Sequence, residues 1–531
     1  MRLKKILIAA AIIAGILPAW AEARETDQQQ IPASEKLRFV DAIISNYYVD
    51  EVNSDSIAEE GIRAMLKTLD PHSAYSTAEE TKALNEPLEG KFSGIGVQFN
   101  MSTDTVYVVQ TISGGPSERV GIRPGDRIIA ADDSVIAGKK LPNSSILKIL
   151  RGPKGSKVNL KVKRTGEPEL IDFVVIRDDI PINSVDAAYM VTPEIGYISL
   201  TRFAEDSPNE VAEAIVKLQK QGMKKLILDL ESNGGGYLGS AVDLASLFLD
   251  KGDMVVYTEG RTQRPAYYYV ETPHPLFGGD IAVMVDQYSA SASEITAGAL
   301  QDNDRATIVG RRTFGKGLVQ RPFPLPDGSM IRLTVSRYHT PTGRMIQKPY
   351  ENGKGDEYAM DISERFEKGE LWSADSIHFD ENQKYRTLKK GRTVYGGGGI
   401  MPDVFVPLDT TYNSKYYRDL VARNILNPYV LNYIDTHRSE LQNAYPTQDA
   451  FFESFVVTPD IIEGLVAKGE AEGLERNEEQ LQRSLPIIEA VIKGLLARDL
   501  YEDGIYVRAT NPLNPVFVEA LRVLQDSPSK P

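Results

Sequence analysis

The spacing of hydrophobic residues changes several times along the chain. Between Ala33 and about Leu84, apolar residues recur at steps of three and four, which predicts amphipathic helices. The segment Leu69-Asp70-Pro71-His72-Ser73 ends the second of these helices, because a residue before proline avoids the helical region. We therefore expect an N-terminal helical region over residues 22–85.

Residues 86–178 have a different pattern, in which short apolar runs alternate with glycine-rich turns. The runs 106–109 and 157–162 predict strands, and 144–150 predicts a short helix that Arg151-Gly152-Pro153 ends. This pattern indicates a small, mostly β module.

From residue 179 to about 410, apolar runs of strand length alternate with segments of helical periodicity. The predicted strands are 195–200, 224–230, 281–285, 307–310 and 330–338, and the predicted helices are 207–221, 238–249 and 293–302. Such alternation favours an α/β layer with partly parallel strands. Within it, residues 348–393 are charged and aperiodic, which indicates an insertion or a mobile loop. Residues 411–531 read as a charged helical region with no chemistry that the sequence assigns.

The first 21 residues have the layout of a secretory signal peptide. Arg2, Lys4 and Lys5 precede the apolar run 6–17, and Ala19-Trp20-Ala21 is a small-residue cleavage site. The run is shorter than the ~20 residues that a membrane-spanning helix needs. We expect a periplasmic or otherwise exported protein after cleavage; a retained N-terminal anchor is the alternative.

Composition narrows the classes of function. With 531 residues, 42% of them hydrophobic, the chain is long enough for several domains with cores. The formal net charge of −14 argues against nucleic acid as a partner. There is no cysteine, which excludes disulfides and thiol catalysis, and the five histidines lack metal-ligand spacing, so no metal site is expected.

One serine-rich segment is a candidate for nucleophilic chemistry. Ser289-Ala290-Ser291-Ala292-Ser293-Glu294 follows a predicted strand and opens a predicted helix. The N–H groups at a helix N-terminus can stabilise a developing oxyanion. Serine is also a favoured helix N-cap, so the segment alone leaves both interpretations open.

A second segment, Thr313-Phe314-Gly315-Lys316-Gly317-Leu318-Val319-Gln320, places a lysine 25 residues after Ser291. Glycine, aromatic and aliphatic neighbours suit a partly desolvated amine, whose pKa falls with burial. A neutral amine can take the proton of a serine hydroxyl. The alternative is a lysine that binds phosphate or carboxylate, although the spacing is not that of a Walker loop.

A third segment runs from an apolar strand into Asp229-Leu230-Glu231-Ser232-Asn233-Gly234-Gly235-Gly236. Glycines expose backbone N–H groups, as an oxyanion hole requires. An ordinary turn between a strand and a helix is the alternative interpretation.

Together these segments resemble the C-terminal processing, or tail-specific, peptidases, whose motifs read SASASE and TFGKG-x-VQ. The resemblance implies Ser291 as nucleophile, Lys316 as general base and Gln320 as the residue that orients the lysine. It also implies oxyanion donors at the backbone of Ala292 and of Gly235 or Gly236. The family's DLR-x-N-P-G-G turn is changed here, with Glu231 in place of arginine and Gly234 in place of proline.

The spacing of Lys316 and Gln320 has a geometric consequence. Four residues apart on a strand, their Cα atoms would be ~13 Å apart, whereas on a helical turn the separation is ~6 Å. If Gln320 orients Lys316, the segment should be turn-like or helical there.

The β module resembles a PDZ domain, on the basis of Phe92-Ser93-Gly94-Ile95-Gly96-Val97, Gly121-x-x-x-Gly125-Asp126 and Arg151-Gly152-Pro153-x-Gly155. The resemblance implies that the backbone of Gly94, Ile95, Gly96 and Val97 holds a peptide C-terminus, with the peptide added to the sheet as a strand. Leu69–Ser73 and Gly399-Ile400-Met401-Pro402-Asp403 match further segments of the family.

The resemblance implies an α+β multidomain protein with a crotonase/ClpP-like protease core over 179–410 and an inserted PDZ domain over 86–178. Its function would be an exported serine endopeptidase that binds protein C-termini and processes or degrades envelope proteins, with no cofactor. The helical ends are candidates for homodimer contacts or adaptor binding. Two alternatives are an inactive PDZ-bearing scaffold and a Ser-His-Asp hydrolase with His339 as base.

Overall fold

The structure is a computed structural model that describes residues 31–101, 104–378, 380–501 and 504–527. The predicted signal peptide, residues 1–21, lies outside the described residues. The chain divides into two compact units, residues 1–66 and 67–531.

The first unit contains two helices, α1 (Ala33–Tyr47) and α2 (Ser54–Lys67), the second of which ends at the boundary. The helical periodicity predicted both. No side chain of α1 is buried, and the apolar residues Leu37, Val40 and Ile43 are exposed.

The second unit begins with a short strand, β1 (Ala74–Ser76), and a helix, α3 (Ala78–Glu89). The mostly β module follows. Its elements are β2 (Lys91–Gly94), β3 (Val97–Asn100), β4 (Val106–Thr111), α4 (Pro116–Val120), β5 (Arg127–Ala131), β6 (Ser134–Val135), α5 (Asn143–Leu150), β7 (Lys157–Lys163), β8 (Ile171–Ile176) and β9 (Asp178–Pro181).

This module is one antiparallel sheet in the order β3-β4-β5-β7-β8, with β6 beside β5, while β2 pairs with β9. Side chains of β7 alternate between buried and exposed, as expected for a sheet with one face on a core. β3 is the first strand in the order and so forms an edge of the sheet.

The predicted α/β layer forms the core of the unit. Its elements are β10 (Val185–Met190), β11 (Ile195–Leu200), α6 (Ser207–Lys220), β12 (Lys225–Asp229), α7 (Leu238–Ser246), β15 (Asp280–Val285), α8 (Ala292–Asp302), β16 (Thr307–Gly310) and β21 (Val404–Phe405). The sheet order is β10-β11-β12-β15-β16-β21; β10 is antiparallel to β11 and the remaining pairs are parallel.

Because β12 and β15 are parallel neighbours, their carboxyl ends meet at one edge of the sheet. β12 leads into the glycine turn, residues 231–236, and β15 leads into the nucleophile turn, residues 286–291. The parallel strands therefore bring the two candidate segments together at this edge. Ligands of open α/β sheets bind at such carboxyl ends.

A second sheet covers this edge. Its strands are β13 (Met254–Glu259), β14 (Ala266–Tyr269), β17 (Leu318–Pro324) and β18 (Met330–His339), in the order β1-β18-β13-β14 with β17 also on β18. The residues between β16 and β17 include Lys316, in a segment 312–317 without regular structure that we call the lysine loop.

The segment 348–393, expected to be an insertion or a mobile loop, contains a helix. It forms α9 (Gly355–Glu367) and a hairpin of β19 (Lys384–Arg386) and β20 (Thr393–Tyr395). The expectation of a loop was therefore wrong for residues 355–367. Tyr358 and Arg365 of this helix are buried.

The C-terminal region is helical, as predicted. Its helices are α10 (Lys415–Ala422), α11 (Leu426–Ala444), α12 (Gln448–Ser454), α13 (Pro459–Ala471), α14 (Glu478–Leu500), α15 (Tyr506–Thr510) and α16 (Pro515–Asp526). Most of them share an apolar core of their own, whereas α16 packs on the α/β sheet through Val516 and Phe517. Within the part of the chain that the structure describes, no helix combines the length and apolarity that crossing a membrane requires.

Candidate active site

The nucleophile turn places Ser291 immediately before α8, as the sequence predicted. The buried carboxylate of Asp286 accepts hydrogen bonds from the N–H groups of Ser232 and Ser289, at 2.9 and 3.0 Å. These bonds join the nucleophile turn to the glycine turn. Ser291 has a φ of +57°, which is uncommon for a residue with a side chain and typical of strained functional turns.

Glu294 connects Ser291 with the lysine loop. Its buried carboxylate accepts from the N–H of Ser291 at 2.9 Å and from the N–H of Lys316 at 2.8 Å. It also accepts from the N–H of Gly315 at 2.7 Å and from the hydroxyl of Thr313. Burial raises the pKa of Glu294, and these four donors oppose that rise.

Tyr338 holds the same two residues by their carbonyl groups. Its hydroxyl donates to the carbonyl oxygen of Ser291 at 3.1 Å and to that of Lys316. Burial raises the pKa of Tyr338 well above its usual value, so the hydroxyl keeps its proton. Glu294 and Tyr338 thus fix the backbones of Ser291 and Lys316 from both sides.

Ser291 and Lys316 line one cavity of about 480 Å³. Its walls are largely apolar and include Leu84, Leu88, Ile295, Leu318 and Met330. Among the hydrogen bonds of the described residues, none joins the Ser291 hydroxyl to the Lys316 amine. The cavity therefore brings the candidate nucleophile and the candidate base to one site.

The environment of Lys316 favours its neutral form. Burial lowers the pKa of Lys316, and the positive charge of Arg332 lowers it further, while Glu294 and Asp70 oppose the shift. Arg332 lies in the wall of the same cavity. A lysine with a lowered pKa is a competent general base.

The three candidate oxyanion donors differ in whether their N–H groups already have an acceptor. Ala292 is the first residue of α8, where N–H groups have no intrahelical acceptor. The N–H of Gly235, in contrast, donates to the side chain of Asn233 at 2.8 Å and is engaged. For the N–H of Gly236 no acceptor lies within the described residues, so the geometry favours Gly236 over Gly235 as the second donor.

Gly235 has a steric role instead. Its φ is +97°, and a Cβ atom there would lie 2.8 Å from the Cβ of Ser291 and 2.9 Å from the nitrogen of Ala292. Only glycine allows the glycine turn to approach the nucleophile this closely.

Gln320 lines the same cavity as Lys316, but among the hydrogen bonds of the described residues none joins their side chains. It lies in β17, and its amide nitrogen donates to the carbonyl of Leu318 and to the hydroxyl of Thr334, both at 3.2 Å. The lysine loop is irregular and β17 begins at Leu318, so the helical turn required for a direct bond is not formed. The geometry thus gives no direct support to the predicted orienting role of Gln320, which stays a prediction.

Glu231, which replaces the family's arginine, accepts a hydrogen bond from Asn514 at 2.6 Å. Burial and the neighbouring Asp229 raise the pKa of Glu231 to about 8. The C-terminal region thus contacts the start of the glycine turn, a contact that the sequence did not suggest.

Two histidines bear on the alternative mechanisms. The ring of His339 stacks on Tyr257 and lies outside the cavity of Ser291, which argues against a Ser-His-Asp arrangement. His72 hydrogen-bonds the hydroxyl of Tyr358 at 3.1 Å, and burial together with the charge of Lys316 lowers its pKa to about 4. His72 is therefore neutral at neutral pH, and its ring is held by Tyr358 of the segment 348–393.

The predicted peptide-binding residues of the β module lie between β2 and β3. Gly94 ends β2, Gly96 has a φ of +72°, and Val97 begins the edge strand β3. The side chain of Ile95 is buried in the module's core with 2% exposure. A charge at Ile95 would therefore disrupt the module's fold, and only its backbone is available to a peptide.

Sequence reasoning gave no role to Glu294 or Tyr338. The Ser-x-x-Glu spacing of Ser291 and Glu294 is a known helix-start pattern and could have pointed to the first. Nothing local points to Tyr338, since its contacts with Ser291 and Lys316 arise only from the fold.

Comparison of the sequence with known proteins finds families that match the α/β core and the β module. A model of peptidase family S41 matches residues 194–353, a PDZ domain model matches 93–185, and a family of unknown function matches 416–503. A probable CtpA-like serine protease of Staphylococcus aureus is 36% identical over 62% of this chain and 64% of its own, so this chain spans less than two thirds of that relative.

A second relative is matched over more of its length. The carboxy-terminal processing protease CtpB of Bacillus subtilis is 34% identical over 69% of this chain and 75% of its own. A solved photosystem II D1 C-terminal processing protease is 26% identical, covers 72% of this chain and 88% of its own, and has a TM-score of 0.36. The sequence matches confirm the resemblance: the chain belongs to peptidase family S41, with a PDZ domain, among the carboxy-terminal processing proteases.

Proposed function

We propose that the protein is a serine endopeptidase in which Ser291 is the nucleophile and Lys316 the general base. The observation that carries this proposal is Glu294, which accepts hydrogen bonds from the N–H groups of both residues at the wall of one cavity. An inactive scaffold has no need for a buried carboxylate that joins these two backbones.

The reaction follows from the groups present. The Ser291 hydroxyl attacks the peptide carbonyl while its proton passes to the Lys316 amine. The N–H groups of Ala292 and Gly236 stabilise the oxyanion. The lysine ammonium then protonates the leaving amine. A water attacks the acyl-enzyme and gives its proton to Lys316, which passes it to the Ser291 oxygen as the acyl–oxygen bond breaks, so that the acid product leaves and both groups return to their starting state.

The PDZ domain supplies recognition in this proposal. The position of β3 at the edge of its sheet and the backbone of residues 94–97 suit an extended peptide that ends in a carboxylate. The substrates would be proteins with free C-termini. We also propose export after removal of residues 1–21, so that envelope proteins are processed or degraded.

Assembly is part of the same proposal. The exposed apolar residues of α1 would form the surface for a homodimer or an adaptor protein.

The test is cleavage of an unstructured peptide with an apolar C-terminus by the purified protein. Ser291→Ala and Lys316→Ala should each lower kcat/KM by at least about 10⁴-fold, as loss of a nucleophile or base does. Both variants should still bind the peptide, and bind its C-terminal amide more weakly. Lys224→Ala, at an exposed lysine, is the matched control and should cleave normally.

An active Lys316→Ala variant would refute the Ser–Lys mechanism. If the wild-type protein binds the peptide but never cleaves it, the scaffold alternative is the better account.

A further inference from the structure

The buried side of α9 carries polar and charged side chains. Tyr358 and Arg365 are buried, and Asp361 between them is half-buried. At spacings of three and four residues these side chains share one side of the helix. That side faces the lysine loop.

Arg365 makes the most direct contact. Arg365 is 3% exposed, and its guanidinium donates to the carbonyl oxygen of Arg312 at 2.6 Å and to that of Thr313 at 3.1 Å. Burial lowers the pKa of Arg365 to about 10, which leaves it charged at neutral pH. A charged donor to a carbonyl makes a stronger hydrogen bond than a neutral one.

A second contact runs through Lys348. Its backbone N–H donates to the carbonyl of Gly315 at 2.9 Å. Its ammonium lies 3.9 Å from the ring centre of Phe314 and 4.0 Å from that of Tyr358, and donates to Asp361 at 3.0 Å. The ring of Phe314, in the lysine loop, is thereby fixed against α9 through a cation.

A third contact is made by Gln347. Its side-chain oxygen accepts from the N–H of Gly317 at 2.8 Å, and its amide nitrogen donates to the hydroxyl of Tyr358 at 3.3 Å. The residue after Lys316 is thus connected to α9 as well.

The lysine loop is held from two sides. Glu294 of α8 accepts from its N–H groups, and Arg365 of α9 donates to its carbonyl groups. Burying a guanidinium costs free energy that an apolar residue would not cost. Stability alone therefore explains this contact poorly.

We propose that α9 is a positioning element for the catalytic lysine, and that Arg365 acts through the carbonyls of Arg312 and Thr313 to hold the Lys316 amine beside Ser291. This inference rests on the proposed function, since it presumes that Lys316 is the base. It gives a role to a segment that the family's motifs do not cover.

The principal test is Arg365→Met, which keeps the volume and removes the donors. A displaced lysine loop should lower kcat by about 100-fold, as small misplacements of reacting groups do, with KM nearly unchanged. A displaced amine is better solvated, so its pKa should rise and the acid limb of the kcat/KM profile should move to higher pH.

Two further variants separate positioning from folding. Arg305 also donates to two backbone carbonyls, those of Phe248 and Phe277 at 2.8 Å each, but away from the lysine loop. Arg305→Met should lower the melting temperature without moving the acid limb. Arg365→Lys, which restores one charged donor, should recover part of the lost kcat.

If Arg365→Met fails to fold, Tyr358→Phe replaces it. This variant keeps the ring and removes the hydroxyl's bonds to Gln347 and His72, and it should shift the acid limb in the same direction with a smaller loss of kcat. A folded variant with a wild-type acid limb, whatever its stability, would overturn the positioning role. Activity of Lys316→Ala would instead refute the mechanism on which the role depends.

Discussion

The helices α8 and α9 both support the lysine loop, yet they differ in how they are built. α8 is buried along its whole length and follows a parallel strand, as the glycine- and alanine-rich sequence around Ser291 suggests. α9 lies in a charged insertion and presents Tyr358, Asp361 and Arg365 to the core. The comparison teaches that one loop can be held on its N–H side by a helix within a recognisable motif and on its carbonyl side by a helix that no motif covers.

Among the variants that test this comparison, Glu294→Ala should have the largest effect. Four donors would lose their acceptor, including the N–H groups of Ser291 and Lys316. We expect destabilisation by at least about 4 kcal/mol, since each of the four buried donors left unsatisfied costs about 1–3 kcal/mol. The loss of kcat should exceed that of Arg365→Met, because α8 carries the nucleophile as well. Denaturant unfolding and steady-state kinetics measure the two effects.

A smaller loss from Glu294→Ala than from Arg365→Met would reverse the ranking of the two helices. Glu294→Gln, which keeps the volume and one acceptor oxygen, serves as the matched variant and should fall between Glu294→Ala and the wild type.

Gly235→Ala should disturb the surroundings of Ser291 without changing the lysine loop. The added Cβ would lie 2.7 Å from the carbonyl of Ala290 at a φ of +97°, so the glycine turn must move away from Ser291. Displacing an oxyanion donor should cost about 10²–10³-fold in kcat. The acid limb should stay in place, because Lys316 is untouched.

A useful control for this variant is Gly239→Ala, at the start of α7, where a Cβ meets nothing within 4 Å. If Gly235→Ala moves the acid limb, a change in the glycine turn also alters the pKa of Lys316. That result would contradict the view that the glycine turn acts on Ser291 alone.

Arg332→Met should change the pKa of Lys316 without moving the lysine loop. Arg332 lowers the pKa of Lys316 by charge repulsion, so its removal should raise that pKa. The neutral amine is the active form, and activity is lost as pH falls through the lysine pKa. The acid limb should therefore move to higher pH, with a several-fold loss at neutral pH and little change at alkaline pH. A pH profile of kcat/KM measures this; a loss equal at all pH values would show that Arg332 acts otherwise.

Much of the fold could be predicted from periodicity. The strand predicted at 195–200 is β11, and the one at 307–310 is β16, because buried parallel strands read as continuous apolar runs. α9 was missed because its buried side mixes Tyr358 with Asp361 and Arg365, so charged residues interrupt the apolar periodicity that predicts a helix.

In the candidate site too, some features could be predicted from local sequence and others arise only from tertiary structure. Ser291, Lys316 and the glycine turn are local motifs, and the fold brings all of them to one cavity. The partner of Gln320 is Thr334, on a strand placed beside it by tertiary structure, and the N–H of Gly235 is engaged by Asn233. Hydrogen bonds of this kind depend on distances that sequence spacing does not contain.

The central claim, that a neutral Lys316 is the base, is tested most directly by titrating its amine. In Ser291→Ala protein carrying isotope-labelled lysine, the Lys316 signal is assigned by its absence from the Ser291→Ala/Lys316→Arg protein. We expect a pKa below the ordinary lysine value of 10.5 that coincides with the acid limb of the wild-type kcat/KM profile. A Lys316 pKa at or above that ordinary value, with activity persisting far below it, would contradict the Ser–Lys mechanism.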